Sequence, residues 1–344
     1  MTSDWTEFLQ ARGAILDAGV VRHFGDPAAE LTAVAAGDVI ADLSHLGLLG
    51  VSGDDAQAFL QAQLSCDLKA LGDEASSLGA YCSPKGRMLA SFLVWPEGDG
   101  YFLALSRTIV DPTAKRLGMF VLRSKVVVAD RSGERRLIGA AGPAAERALH
   151  AALGTVPARP QGVSRSDGAT VIRLAQDRFL LAVASGRAAS LWTALSGALR
   201  PVGTPCWEWL DISAGIPHVT ARTQDEFVPQ MANLELLGGV SFHKGCYPGQ
   251  EVVARTQYLG KAKRRMFLAH VEGPAPAPAP GDPLFSEDLG DQASGMIVNA
   301  APAPEGGFDV LAVVHAPSAA DSTVHLGSLT GAPLRFRPLP YAVP

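Results

Sequence analysis

The chain has 344 residues, 47% of them hydrophobic and 18% charged, with a formal net charge of -5. That length allows two or three domains, and the negative balance gives no global attraction for nucleic acid, so anion binding must come from a local patch. No apolar run reaches the roughly 18 residues that span a bilayer, and Asp4 and Glu7 stand where a basic leader would lie, so a cytoplasmic protein with no membrane partner is expected.

Trp5, Phe8, Leu9, Arg12, Ile15 and Leu16 recur at helical spacing before Gly19, which predicts an opening amphipathic helix. Ser52 or Asp54 caps a second helix through Phe59, Leu60 and Leu64. Strands are predicted over 78–83, 87–95 and 101–105, joined by the turns Pro84-Lys85-Gly86 and Glu97-Gly98-Asp99-Gly100. A helix over 111–122, strands over 125–129 and 136–141, a helix over 144–152, strands over 170–174 and 179–183 and a helix over 187–199 follow. There is no strict βαβ rhythm and adjacent strands share short turns, which indicates an α+β chain with antiparallel sheets in two similar units. Residues 272–283 alternate proline with alanine and read as a stiff spacer or an extended edge. Short apolar runs over 263–271, 283–285, 295–299, 308–315 and 334–337 predict a small β-barrel or sandwich.

The four cysteines, Cys66, Cys82, Cys206 and Cys246, are widely spaced and form no C-x-x-C pair, which argues against a disulfide framework or zinc knuckle; no metal ligand is assigned. No G-x-G-x-x-G follows a strand, no G-x-x-x-x-G-K-[ST] occurs, and Ser52 and Ser294 lack a G-x-S-x-G frame. Dinucleotide binding, nucleotide-driven phosphoryl transfer and serine hydrolysis are therefore disfavoured.

One run reads as a site. His243-Lys244-Gly245-Cys246-Tyr247-Pro248-Gly249-Gln250-Glu251 sets a thiol between cations and glycines, and a nearby ammonium or imidazolium lowers a thiol's pKa. Gly245 and Gly249 allow positive φ or the close approach of a ligand, and Pro248 stiffens the turn. A lone cysteine is most often a small buried hydrophobe, but Lys, Pro, Gln and Glu make a poor core strand and a good exposed loop. Over 243–265 the cations Lys244, Arg255, Lys261, Lys263, Arg264 and Arg265 face one acid, Glu251, giving either a patch for a polyanion or a carboxylate, or a solvated basic face. Trp207 and Trp209 alternate around Glu208; read as a strand, both indoles share one face, and the residues alone favour a core over a flat aromatic ligand.

Residues 213–265 carry Ala214-Gly215-Ile216-Pro217, Phe227-Val228-Pro229-Gln230, Asn233-Leu234, Gly238-Gly239-Val240-Ser241-Phe242 and the run from Lys244 to Glu251. This stretch resembles the YgfZ family of folate-binding proteins, relatives of the aminomethyltransferase, or T-protein, of the glycine cleavage system. The likeness extends to residues 40–67, with Phe59-Leu60-Gln61-Ala62-Gln63, and to Pro338-Leu339-Pro340-Tyr341. It implies an α+β fold of three domains in a ring around a central cavity, with two interleaved domains over 1–262 and a C-terminal β-barrel over 263–344. Tetrahydrofolate, or a one-carbon derivative, is the implied cofactor. Iron–sulfur enzymes or assembly proteins are the implied partners, in a role that assembles or repairs clusters and reaches tRNA modification through cluster enzymes; no direct nucleic-acid partner is expected. Cys246 and Lys244 match the family's signature thiol and lysine. Trp207 falls on a tryptophan used against folate, Arg87, Arg255 or Lys261 would draw the glutamate tail, and Gln250 and Glu251 would orient the loop or hold the ligand.

Two departures qualify the resemblance. Leu46 stands where a bacterial relative has a second folate tryptophan, and Ala90-Ser91 stands where the aminomethyltransferases carry an acidic pair. One-carbon transfer needs a positioned acid or base, so aminomethyl transfer is disfavoured. The competing readings are a transferase that uses another carboxylate, Glu251 or Asp225, and an RNA-binding accessory factor that works through the basic patch. For the thiol, iron ligation, sulfur exchange and cluster reduction remain open.

Overall fold

The computed structural model describes residues 4–166, 168–258, 262–273 and 276–343. Helix α1 (Asp4–Gln10) precedes a hairpin of β1 (Ile15–Asp17) and β2 (Val20–His23), then α2 (Pro27–Ala36), β3 (Val39–Asp42), β4 (Leu46–Ser52) and α3 (Ala56–Gln61). Strands β5 (Ser77–Cys82), β6 (Met88–Glu97) and β7 (Gly100–Ser106) lead to α4 (Val110–Gly118), β8 (Val127–Asp130), β9 (Arg135–Ala141) and α5 (Ala145–Leu153). Next come β10 (Val163–Ser166), β11 (Ala169–Ala175), β12 (Arg178–Ala184), α6 (Ser185–Leu195), β13 (Arg200–Val202), α7 (Thr204–Ser213) and α8 (Gln250–Tyr258). The C-terminal part holds β14 (Arg264–Val271), β15 (Pro283–Ser286), β16 (Ala293–Pro302), β17 (Phe308–His315), α9 (Ala316–Asp321), β18 (Val324–Leu326) and β19 (Leu334–Arg337).

The strands form three larger sheets, ordered β5-β6-β7-β4-β8, β10-β11-β12-β9-β3-β13 and β18-β15-β16-β17-β14-β19. In the second, β13 runs parallel to β3 while the other pairs are antiparallel. Alternation sets its buried face: Ile138 and Ala140 on β9 and Leu181 and Val183 on β12 pack with Trp5, Leu149 and Trp192 of α1, α5 and α6. In the C-terminal sheet His325 of edge strand β18 bridges Pro333, just before edge strand β19, so this sheet curls back on itself as a barrel does. The elements divide into two compact units, one of Met1–Ala56, Leu71–Ser77 and Val94–Trp207, the other of Gln57–Ala70, Leu78–Leu93 and Glu208–Pro344.

Two predicted elements differ. The opening helix stops at Gln10, because Ala18 and Gly19 take φ of 48° and 81°, the left-handed pair that a two-residue hairpin turn requires. The Trp207–Trp209 segment is helical, with Pro205 in the first turn of α7, where its missing N–H costs nothing. Residues two apart on a helix point about 200° apart, and the indoles diverge.

Helix α1 is held by a buried polar contact: Trp5 Nε1 donates to Asp42 Oδ1 at 2.8 Å, and Ser44 Oγ donates to Asp42 Oδ2 at 2.5 Å. Burial raises the Asp42 pKa above its ordinary 3.8, while the bonds from Ser44 and Trp5 and the charge of Arg136 oppose it. A carboxyl with a raised folded-state pKa contributes stability that is full below the ordinary pKa and lost as pH rises through the folded one. Asp42→Asn is therefore expected to gain stability relative to the native protein as pH rises from about 4 to 7; a urea-midpoint difference that stays constant over that range would count against this.

Candidate functional site

Lys244 is buried, and its Nζ donates to the carbonyls of Gln61 (2.6 Å), Leu64 and Cys66 (3.0 Å). An ammonium has three protons, so all of them are placed. Two of the acceptors lie at the end of α3 and in the turn after it, where carbonyls lack helical partners and the helix dipole favours a cation. The same Nζ sits 5.2 Å from the centroid of the Tyr247 ring. Burial lowers the Lys244 pKa, against the pull of Cys66 and Asp67. Tyr247 turns inward with it; burial and then the neighbouring Cys82 and Cys66 push its phenol upward.

The exit of the loop is set by two glycines. Gly249 (φ 79°) and Gly86 (φ 75°) take left-handed conformations, and a Cβ on Gly249 would overlap Ser83 O and Gly86. A Cβ on Gly86 would in turn lie 2.8 Å from the Val252 Cβ. The hairpin turn after β5 thus docks against the start of α8 with no room for a side chain on either glycine. Gly245 differs: its φ is not left-handed and an added Cβ there would meet nothing within 4 Å, so the backbone beside Cys246 borders open space.

Cys246 is exposed, while Cys66, Cys82 and Cys206 are buried and burial pushes each of their thiols up to about 12. The expected pairing of Lys244 with Cys246 takes another form. The ammonium serves the loop's anchorage, its donors spent on carbonyls, and its charge is felt at Cys66, where burial outweighs it.

The other expected residues are dispersed. Arg87 is exposed and donates from Nη1 to Asp225 O at 3.0 Å, while Asp225 Oδ1 accepts from Ser83 Oγ at 2.7 Å. Arg255 and Glu251 pair with each other at 2.8 Å on the exposed face of α8, and Gln250 opens that helix half-buried. Trp207 is 1% exposed; a Cβ on Gly139 would overlap its ring, and the Arg178 guanidinium lies 5.1 Å from it, so as placed this indole is core. Lys261 lies outside the described residues. Within the basic stretch Arg265 pairs with Glu235 and donates to Gln230 O, and Arg264 donates to Ala293 O. At the position without an acidic pair, Ser91 Oγ donates to Pro217 O (3.0 Å) and accepts from Val219 N (2.9 Å), a structural tie rather than a free base.

Sequence reasoning missed several groups. Buried Gln230 and Asn233 donate to Val253 O (2.7 Å) and Met266 O (2.8 Å), tying the 227–234 motif to α8 and β14; polar amides inside an apolar motif were their signal. A cavity of about 700 Å3 joins Arg255, Lys263 and Arg264 to Val228, Met231 and Leu289, a grouping that no sequence spacing announces. His270, Glu305 and Asp309 converge on the C-terminal sheet, but Arg337 bonds both carboxylates and Trp209 Nε1 donates to Asp309, which supplies the cluster with its own cation.

The structure has the architecture of the aminomethyltransferase T class. It matches the glycine cleavage system aminomethyltransferase T of Bartonella henselae with a TM-score of 0.81 and 19% identity, over 99% of this chain and 98% of that one. The GCVT N-terminal domain family matches residues 21–241. Proteins named tRNA-modifying protein YgfZ from Sodalis glossinidius (strain morsitans) and Yersinia pseudotuberculosis are each 32% identical over 305 residues, 88% of this chain and 92% of theirs. The chain belongs to the YgfZ family. Among the described residues no helix is long and apolar enough to cross a membrane.

Titration of the native protein with a thiol reagent should show one fast cysteine, Cys246, and three that react only on unfolding. Lys244→Met, which orphans buried carbonyls, should cost about 2–3 kcal/mol, read as a lower urea midpoint; an unchanged midpoint would remove the anchoring role. Gly139→Ala should cost about 1–3 kcal/mol by overpacking Trp207, read as a lower urea midpoint.

Proposed function

We propose that the protein binds tetrahydrofolate, or a one-carbon derivative, and uses the Cys246 thiol in assembling or repairing iron–sulfur clusters, thereby supporting tRNA modification by cluster-dependent enzymes. One observation carries this reading: Cys246 is the exposed cysteine of the four, on a loop anchored by a buried ammonium and a glycine contact that a merely solvated face would not need. A thiol that ligates iron, passes sulfur or reduces a cluster must be reachable and able to ionise. The names of the relatives support the link to tRNA modification, and the family resemblance supports folate.

The cavity of about 700 Å3 suits a ligand of folate's kind in volume, with apolar walls from Val228, Met231 and Leu289 and three cations, Arg255, Lys263 and Arg264, placed to take carboxylates. Arg87 does not line this cavity, although it keeps guanidinium nitrogens that Asp225 does not occupy. Trp207, buried as it is, does not fit as a wall for the pterin. Aminomethyl transfer is the poorer reading because the Ser91 hydroxyl, at the position without an acidic pair, is committed to backbone.

Cys246→Ser should leave the fold and tetrahydrofolate affinity unchanged and fail to restore cluster-enzyme activity and thiolated tRNA in cells lacking the native protein. Arg255→Glu should raise the folate Kd about tenfold. Full complementation by Cys246→Ser would sink the thiol reading, and turnover to methylene-tetrahydrofolate by the purified protein would favour the transferase.

A further inference from the structure

Strand β8 is the edge of its sheet, with β4 as its neighbour on one side. Asp130 lies opposite Leu49 and Val127 opposite Ser52, and Arg131 N donates to Leu48 O at 2.7 Å in the same register. Bonding alternates along an antiparallel pair, so Val127 and Ala129 turn their N–H and C=O toward β4, while Val128 and Asp130 turn theirs outward. No described residue bonds to those outward groups. Natural edges are blunted by charge, proline or a bulge; the run Val126-Val127-Val128-Ala129 has none of them.

The chain that leads into this edge is apolar and exposed. Met119, Phe120 and Leu122, in the turn after α4, face solvent, as does Val127 on the strand. Leu122 is 87% exposed and takes φ of 47°, so a strained, left-handed backbone holds an apolar side chain in water. A side chain so exposed has little packing with which to offset that strain. Lys115 and Arg116, in the last turn of α4, and Arg123 carry no ion pair among the described residues, whereas Lys125 is paired with Asp54 and Arg107 with Asp130. The Nε–H of Arg116 is buried without an acceptor. All of these residues lie in the first unit, and none lines the cavity assigned to folate.

We propose that the β8 edge and the tip before it dock an extended acidic peptide segment of a partner protein, which adds a sixth strand to this five-stranded sheet. The main chain of the segment takes the outward groups of Val128 and Asp130, its apolar side chains lie on Leu122 and Val127, and its carboxylates meet Lys115, Arg116 and Arg123. Open main-chain groups call for an extended polypeptide, and unpaired cations beside them call for acids on it. A second copy of this chain fits less well: β8 paired with itself about Val128 sets Lys125 opposite Arg131, and like charges directly opposite are destabilising.

Fluorescence anisotropy at constant ionic strength, with a labelled nine-residue peptide that alternates glutamate and valine, tests this. That peptide should bind, and its counterpart with lysine for glutamate should bind at least about tenfold more weakly. Val128→Pro takes the outward N–H from the edge at a position where proline is tolerated, and should abolish binding. Arg123→Glu should weaken it at least about tenfold. Leu122→Gly should weaken it as well while raising the urea midpoint, because glycine takes positive φ without strain; a purely structural role for Leu122 gives no such split. Circular dichroism establishes that each variant is folded, and if Val128→Pro is not, Arg123→Glu and Leu122→Gly decide. No binding of the glutamate peptide, equal affinity for the lysine peptide, or native affinity in the folded variants overturns the proposal. A dimer in sedimentation that Val128→Pro dissociates would give the edge to a second copy and overturn it too.

Discussion

A buried ammonium has to place all three of its protons, and Lys244 places them on the carbonyls of Gln61, Leu64 and Cys66. Taking the charge out of water is expensive unless such bonds are made, so the geometry of the loop and the end of α3 each depend on the other. The long flexible stem of a lysine lets the loop's backbone stay at the surface while its charge reaches the interior. Cys246, two residues on, is held outward because its neighbours Lys244 and Tyr247 are both drawn inward.

Around that anchor the contacts are backbone contacts. Gly86 and Gly249 meet where no Cβ fits, Ser65 Oγ donates to Gly239 O and accepts from Ala80 N, and Gln230 and Asn233 donate to carbonyls of α8 and β14. Each is a polar side chain or a bare α-carbon serving main chain elsewhere, which rigidifies an irregular segment that has no ladder of its own. The region that resembles the family most closely is therefore largely scaffold, and its cysteine, Cys246, faces outward.

The strands of the C-terminal sheet were legible because alternation and Gly or Pro punctuation are local signals, and the signature run was legible because its residue types conflict with a core. The α7 segment was misread because Trp-Glu-Trp alternates in sequence, and a single Pro205 decided for helix. The purpose of Lys244 was hidden because its partners lie about 180 residues away. Trp207 is buried, with Gly139 against its ring and the Arg178 guanidinium 5.1 Å away, neighbours that no local pattern announces.

The second unit is assembled from residues 57–70, 78–93 and everything from 208 onward. About 115 residues separate Leu93 from Glu208, and at roughly 5–20 residues per second the ribosome needs about 6–23 s to cross that gap. For that interval the β5 and β6 segments, with buried positions Tyr81, Cys82 and Phe92, wait for the chain that will cover them. Two thiols that are inert in the finished protein, Cys66 and Cys82, are open to oxidation throughout synthesis. A protein whose finished form exposes one cysteine, Cys246, thus passes through a nascent stage in which two others, Cys66 and Cys82, are uncovered, and its yield in cells should respond to oxidative stress during translation more than its finished form does.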